Sequence, residues 1–323
     1  MGAPTNTFTR YDAVGVHEDL SDVIYDLSPV EVPFLSNVGK KKAKQTQFEW
    51  QTDALAAAST TNAVIEGDDT VAGAVTPTKR LSNYTQIMKK AFTISGTLEA
   101  TDRAGRAEEA AYQKVKRMKE LKRDMEATLT SSQVAVAGGN TTARKTAAFD
   151  SWLITNRNNG NGTTGDYAYT STPITARTAA TTGNIRTFTE TILKDIIKQQ
   201  WSSGGQTKML MVGPYNKQVV SGFAGIAEQR HNVPSAKQGV IIGAADVYVS
   251  DFGNVQVVPN RFMPEDRAYL IDPEYVSIAT LRPAFSEKLA KTGDAEKYHV
   301  LTEIGLQVDN ELAHAVARDL SAA

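Results

Sequence analysis

Residues 84–95 read Tyr84-Thr85-Gln86-Ile87-Met88-Lys89-Lys90-Ala91-Phe92-Thr93-Ile94-Ser95. Met88, Phe92 and Ile94 share one parity, the two-residue period of a strand with one covered face. A matching run lies upstream at Lys44 to Thr52, where Phe48 and Trp50 also share a parity. Between the two runs lie about 30 residues rich in Ala, Thr, Gly and Asp, longer than structureless connections inside a compact domain usually are. The two runs are expected to pair as an extended arm. A two-stranded ribbon is marginal in water by itself, so this arm needs something else to hold it. Another copy of the same chain is the most economical partner.

The arm runs directly into a helical pattern. From about Asp102 to Ala137 there is no Pro, and after Gly105 no Gly until Gly138-Gly139. Ala111, Val115, Met118, Leu121, Met125 and Leu129 recur at spacings of 4, 3, 3, 4 and 4, one face of a helix. Lysines, arginines and acids fill the other faces. The spacing predicts a helix over about 102–137, roughly 50 Å long, ended by the glycine pair and laid across a sheet. The apolar stripe is too short to favour a coiled coil.

Toward the N-terminus, residues 1–40 read as an extended arm with a helical patch at Asp19 to Leu27, broken by Pro29 and Pro33. Phe8, Tyr11, Phe34 and Leu35 favour a tether across a neighbour over a frayed end. Past the long helix, residues 138–184 are polar and turn-rich. A second compact region begins after them. Thr187 and Glu190 fit a capping box before an amphipathic helix with Phe188, Ile192, Leu193, Ile196, Ile197 and Trp201 on one side. Lys208 to Val212 reads as a buried strand, and Gly213-Pro214 opens a short helix. Val247 to Ser250 and Val255 to Pro259 read as a hairpin. Arg267 to Ile271, Val276 to Leu281 and His299 to Asp309 are further strands. Helices and strands mix without regular βαβ alternation, so the class is α+β.

The chain has 323 residues, 35 basic and 36 acidic, for a net charge of −1. A basic surplus, the mark of an electrostatic nucleic-acid or membrane-surface binder, is missing. Mean hydropathy is −0.32, and no stretch of about 18 apolar residues is present. There is no cysteine, which excludes disulfides, thiolate nucleophiles and Cys-ligated metals. The first 30 residues show no signal-peptide pattern, and residence in a cytoplasm is the default.

Catalytic motifs fail on context. Gly160-Asn161-Gly162-Thr163-Thr164-Gly165 spells a dinucleotide fingerprint, which needs a strand before it and a helix after it. Asn156-Arg157-Asn158-Asn159 on one side and Asp166-Tyr167-Ala168-Tyr169 on the other supply neither pattern. His17, His231, His299 and His314 are widely separated and suggest no metal site. No cofactor is expected, and an enzyme would need a polar constellation that is not there. The acidic cluster Glu66-Gly67-Asp68-Asp69 on the arm is expected to face basic groups of another subunit.

Asn83-Tyr84-Thr85-Gln86-Ile87, Ser95-Gly96-Thr97, Gly105, Glu109, Gln113, Glu120 to Asp124, Glu126 and Val308-Asp309-Asn310-Glu311-Leu312-Ala313-His314 together resemble the major capsid proteins of tailed bacteriophages. The resemblance is to the SU10-type family of the HK97-like fold. Leu312 stands where related shells carry Lys, and Ala315 where Gly is common. The resemblance implies an N-terminal arm (1–40), an E-loop (41–95) and a P-domain (96–184) with a spine helix. It further implies an A-domain (185–274), strands returning to the P-domain (275–309) and a C-terminal segment on the A-domain (310–323).

The implied function is structural: self-assembly as hexamers and pentamers into the icosahedral shell around a phage genome, in the host cytoplasm. An encapsulin-type compartment is the alternative. A separate scaffolding protein, a portal and decoration proteins are the implied partners, with no sequence-specific nucleic-acid binding and no membrane. Phe8, Tyr11, Phe48, Trp50, Glu66, Asp68, Asp69, Lys79 and Arg80 are the expected subunit-interface residues. Lys79 is the candidate donor for a Lys–Asn crosslink, but nothing in the residues calls for that reaction.

Overall fold

The structure, a computed structural model, describes residues 31–53, 55–56, 58–69, 73–75, 77–101, 108–161, 182–223, 247–291 and 293–322. Phe8, Tyr11 and the expected helical patch at 19–27 lie outside the described residues.

Two sheets and a ribbon organise the chain. The first sheet has the order β1-β10-β11-β4, from Gly39–Lys42, Val276–Lys288, Ala295–Val308 and Gln86–Ser95. β10 pairs with β11 and β11 with β4, both antiparallel, and β1 joins β10 in parallel at the edge. The second sheet has the order β5-β12-β9-β6-β8-β7, from Arg157–Asn158, Ala315–Ala317, Ala268–Ile271, Met209–Val212, Gly253–Pro259 and Val247–Ser250. The ribbon is β2 (Gln47–Thr52) against β3 (Lys79–Tyr84).

Strand pairing thus departs from the sequence expectation. The partner of 47–52 is Lys79–Tyr84, whereas Gln86–Ser95 belongs to the first sheet. The ribbon therefore ends at Tyr84, and the alternation of Met88 and Ile94 reports burial against the long helix. Likewise the C-terminal residues 315–317 lie within the second sheet, between β5 and β9.

The central strands of the second sheet are buried on both faces, and period two sorts their side chains. Met209, Met211, Tyr269, Ile271 and Val316 enter one apolar cluster. Leu210, Val212, Ala268, Leu270, Ala315 and Ala317 enter the other, beneath α4 (Glu190–Ser202) and α5 (Pro214–Ser221). Pro214 at the first turn of α5 and Gly204 at φ 90 after α4 match the expected breaks. The cap of α4 lies two residues further on than expected: Thr189, not Thr187, accepts from the Ile192 N–H at 3.4 Å. Glu190 instead accepts from the Tyr248 hydroxyl at 3.1 Å. Trp201 faces outward against Phe252, and Gln200 takes the buried position.

The spine helix, α3, spans Glu109–Thr130, so at about 1.5 Å per residue it is near 33 Å rather than 50 Å. It stops eight residues before Gly138. Thr130 Oγ1 bonds back to the Glu126 carbonyl at 2.8 Å, and Ser131 Oγ donates to Thr128 and accepts from the Gln133 N–H. Such local hydroxyl bonds compete with helix continuation. Gly138 at φ 78 instead turns a small bridge between Val136 and Lys145. The apolar stripe is covered only toward the C-terminal part: Leu121 and Leu129 are buried, Met118 and Met125 half-buried, and Val115 exposed.

Two segments expected to look outward are internal. Pro33 starts a short helix, α1 (Pro33–Asn37), and Phe34 and Leu35 are buried in this chain's own core. Glu126, fully buried, accepts from the Phe34 N–H at 2.7 Å, the Leu35 N–H at 2.9 Å and Asn260 Nδ2 at 2.7 Å. Burial raises its pKa, and the three donors oppose that rise. The turn Phe149–Trp152, inside a stretch that looks polar in sequence, is buried throughout. The Phe149 ring meets Phe34, Tyr269 and His314 at 5.1–5.6 Å between centroids. Asp150 takes Arg267 Nη1 and Arg318 Nε, while Arg318 Nη2 caps the Asp150 and Leu153 carbonyls. A small helix, α2 (Gly96–Ala100), capped by Ser95, completes the described helices.

Asp150→Ala should strip two largely buried guanidinium groups of their shared carboxylate. A loss of about 3–5 kcal/mol is expected from such half-removed pairs, read as a lower urea midpoint. His314 gives a pH test. Its ring is wholly buried, and Nδ1 accepts from the Asp272 N–H at 3.2 Å. Burial holds its pKa down at about 4, against an ordinary 6.5. The unfolded chain therefore takes up the proton first, and stability should fall as pH drops through that window by on the order of 3 kcal/mol. His314→Asn, which keeps an acceptor for Asp272, should flatten this slope in urea titrations at both ends of the window.

Candidate assembly surfaces

The root of the ribbon is packed into the body of its own chain. Phe48 stacks on Trp50 at 5.8 Å, and Trp50 tilts against Trp152 at 5.3 Å. Leu81, opposite Trp50, is buried. Gly305 of β11 leaves the space Phe48 occupies: a Cβ there would lie 2.5 Å from Phe48 Cε1 and 3.0 Å from the Tyr84 carbonyl oxygen. Phe48 and Trp50, expected at a subunit interface, thus spend their packed faces inside this chain. Period two correctly put them on one face; it carried no information on which molecule covers that face.

The hinge between ribbon and first sheet is polar and closed. Asn83 Nδ2 donates to the Leu306 carbonyl at 2.6 Å and to Thr146 Oγ1 at 3.1 Å, while its Oδ1 accepts from the Ala147 and Tyr84 N–H groups at 2.8 Å. Thr85 Oγ1 donates to Glu303 at 2.8 Å, and Glu303 also binds Arg144 and Arg282. Burial alone would push the Glu303 carboxyl up; Thr85, Arg282 and Arg144 outweigh it and hold the group below its usual value. These residues, unrecognised as a site from sequence, fix where the ribbon leaves the subunit. The signal was available in Asn83-Tyr84-Thr85, polar residues at the junction of two strand-like runs.

Beyond the root the loop turns outward. Leu55, Val64, Ile65 and Val75 are 99%, 80%, 81% and 93% exposed. The loop is therefore richer in bare apolar surface than its composition suggests. Glu66, Asp68 and Asp69 are exposed around a tight turn, with Gly67 at φ 84 and the Asp68 N–H on the Ile65 carbonyl at 3.1 Å. Among the described residues none of these carboxylates joins an ion pair. Lys79 is exposed at the start of β3, and Arg80 reaches Glu49 across the ribbon at 3.4 Å.

Among the described residues no group of three or more His, Asp or Glu is arranged to hold a metal ion, and no helix is long and apolar enough to cross a membrane. The Asn310-Glu311 stretch has a packing role. Glu311 accepts from Ile154 N–H, Thr155 N–H and Thr155 Oγ1, and Asn156 Nδ2 returns to the Leu312 and His314 carbonyls.

A family model described as SU10 major capsid protein matches residues 3–321. A curated major capsid protein of Escherichia phage Phieco32 is 32% identical over 353 aligned positions, covering 98% of this chain and 97% of that protein. Among solved structures, a chain of the Cyanophage A-1(L) capsid asymmetric unit superposes with a TM-score of 0.68 at 14% identity, covering 94% and 97% of the two chains. A Gordonia phage Cozz chain gives 0.59 at 10% identity over 99% and 98%. A chain of the satellite phage P4 procapsid including size determination (Sid) protein gives 0.51 at 12% over 90% and 87%.

Gly305→Ala should force Phe48 out of its seat. Overpacking of this kind costs typically about 1–3 kcal/mol. Hydrogen exchange should then quicken in residues 47–52 and 79–84 more than in β10. Combining it with Phe48→Ala should recover part of the loss, a coupling that independent sites would not show.

Proposed function

This chain belongs to the SU10 major capsid protein family and is a structural subunit of an icosahedral phage shell; on that premise we propose that it closes the shell as hexamers and pentamers, with each E-loop laid over a neighbouring copy. In this assignment the first sheet and spine helix form the P-domain and the second sheet forms the A-domain. The carrying observation is the loop at 53–78, whose exposed Leu55, Val64, Ile65 and Val75 hang from a root locked by Trp152 and Gly305. Exposed apolar side chains gathered on a fixed support mark an interaction surface, and obligate interfaces bury roughly 2,000–5,000 Å².

Assembly takes place in the host cytoplasm with a separate scaffolding protein, a portal and decoration proteins as partners. The similar P4 procapsid includes a separate size determination protein, which is the precedent for an assembly partner. The subunit contributes no catalysis and no covalent crosslink. A near-neutral charge suits a wall that contains DNA without gripping it.

Deletion of residues Ala54 to Ala74 tests this directly. The segment adds no described residue to either apolar cluster, so the deleted subunit should keep its urea midpoint and lose shells in electron microscopy. An unfolded product would place the segment in the subunit core instead. Nucleic acid, not packaged enzyme, is expected inside wild-type particles.

A further inference from the structure

Beside the spine helix lies a groove of about 350 Å³. Leu35 of α1, Met125 of α3, Ile278 of β10 and Ile304 of β11 make its lining apolar. Lys40 of β1 and Lys122 of α3 stand exposed at its rim. Among the described residues neither lysine forms an ion pair.

The E-loop tip has the complementary order. Val64-Ile65 come first and Glu66-Gly67-Asp68-Asp69 come next. The Asp68 N–H bond to Ile65 folds the two halves onto one compact turn. Both apolar side chains are bare and the three carboxylates have no ion-pair partner within the described chain. The groove offers an apolar trough with two ammonium groups; the tip offers two branched aliphatic side chains with carboxylates beside them. Since the tip is exposed in this conformation of the subunit, its own groove does not hold it.

We propose that Val64 and Ile65 of one copy seat in the groove of a second copy, with Glu66, Asp68 and Asp69 against Lys40 and Lys122. This rests on the proposed contact of each E-loop with a neighbour and specifies its seat. The groove wall is partly α1, which Glu126 holds through the Phe34 and Leu35 N–H groups. The seat therefore exists only when the start of the described chain is docked on the spine.

The chain lacks cysteine, so introduced thiols report cleanly. In Asp68→Cys plus Lys122→Cys, purified particles under mild oxidation should give a ladder of multimers on a non-reducing gel. Each single variant should run as one band or a dimer at most. Particles whose thiols stay free, or close within one chain, would overturn the proposed seat. Charge reversal decides the matter if that pair does not assemble. Asp68→Lys with Asp69→Lys, and separately Lys40→Glu with Lys122→Glu, should each lower particle yield several-fold, more at low salt than at high salt. The four changes combined should recover yield, and failure to recover any would also overturn the seat. If the loop deletion abolishes shells while both tests fail, the E-loop contact stands and only its location is wrong. If the deletion leaves shells intact, both fall.

Discussion

Burying the Asp150 carboxylate imposes the constraint around which the subunit is arranged. A charged oxygen pair with no access to water must be met by cations and donors, and leaving either side unpaired is costly. Arg267 enters from the start of β9 and Arg318 from the end of β12. Because Asp150 sits in the same turn as Phe149 and Trp152, those two contacts also place the aromatic rings. Phe149 then touches the first described helix and the second sheet, and Trp152 touches the ribbon. Arm, ribbon, spine and C-terminal strand thus meet at four residues. Ionic and aromatic contacts at the turn are mutually dependent, since moving one ring misplaces the carboxylate.

A second buried carboxylate, Glu126 near the C-terminal end of the spine, repeats the logic. Glu126, buried like Leu129 one turn further on, satisfies two N–H groups that a helix start leaves without intrahelical partners. An acid in the dry face of an amphipathic helix is a poor choice for stability alone. Here it ties α1, α3 and Asn260 at one point.

These two acids also explain what sequence could and could not reveal. Met209–Val212 with Gly213-Pro214, and the Val247–Pro259 hairpin, were readable because a run of apolar residues ends at a residue that breaks structure for a local reason. The long return strands were readable in type and underestimated in length. Lys79–Tyr84 was not readable: it holds a single aliphatic residue, Leu81, and takes strand form because Phe48 and Trp50 cover that residue and Asn83 locks the end. Periodicity reports that a face is covered and is silent on the partner, hence the exchange of β3 and β4. Phe149–Trp152 was hidden by its neighbours' composition. Glu126 counted among the polar faces of the long helix and Asp150 did not stand out from its polar stretch, because a sequence shows charge and not the donors folded around it. The overall class and the assembly role were legible through patterns spread along the chain; the anchors were not, since each depends on residues more than 90 positions away.

The ribbon root has a mechanical consequence. Six paired residues extend about 20 Å from their support, so a rotation of about 5° at the Phe48–Gly305 contact moves the far end by about 2 Å. The root sets direction by steric fit, a stiff restraint, while the tip carries exposed apolar and acidic side chains. A lever of this kind converts small differences in subunit tilt into displacements comparable to a hydrogen bond's length. Curvature can then vary from place to place in a closed surface while every wall unit keeps one fold.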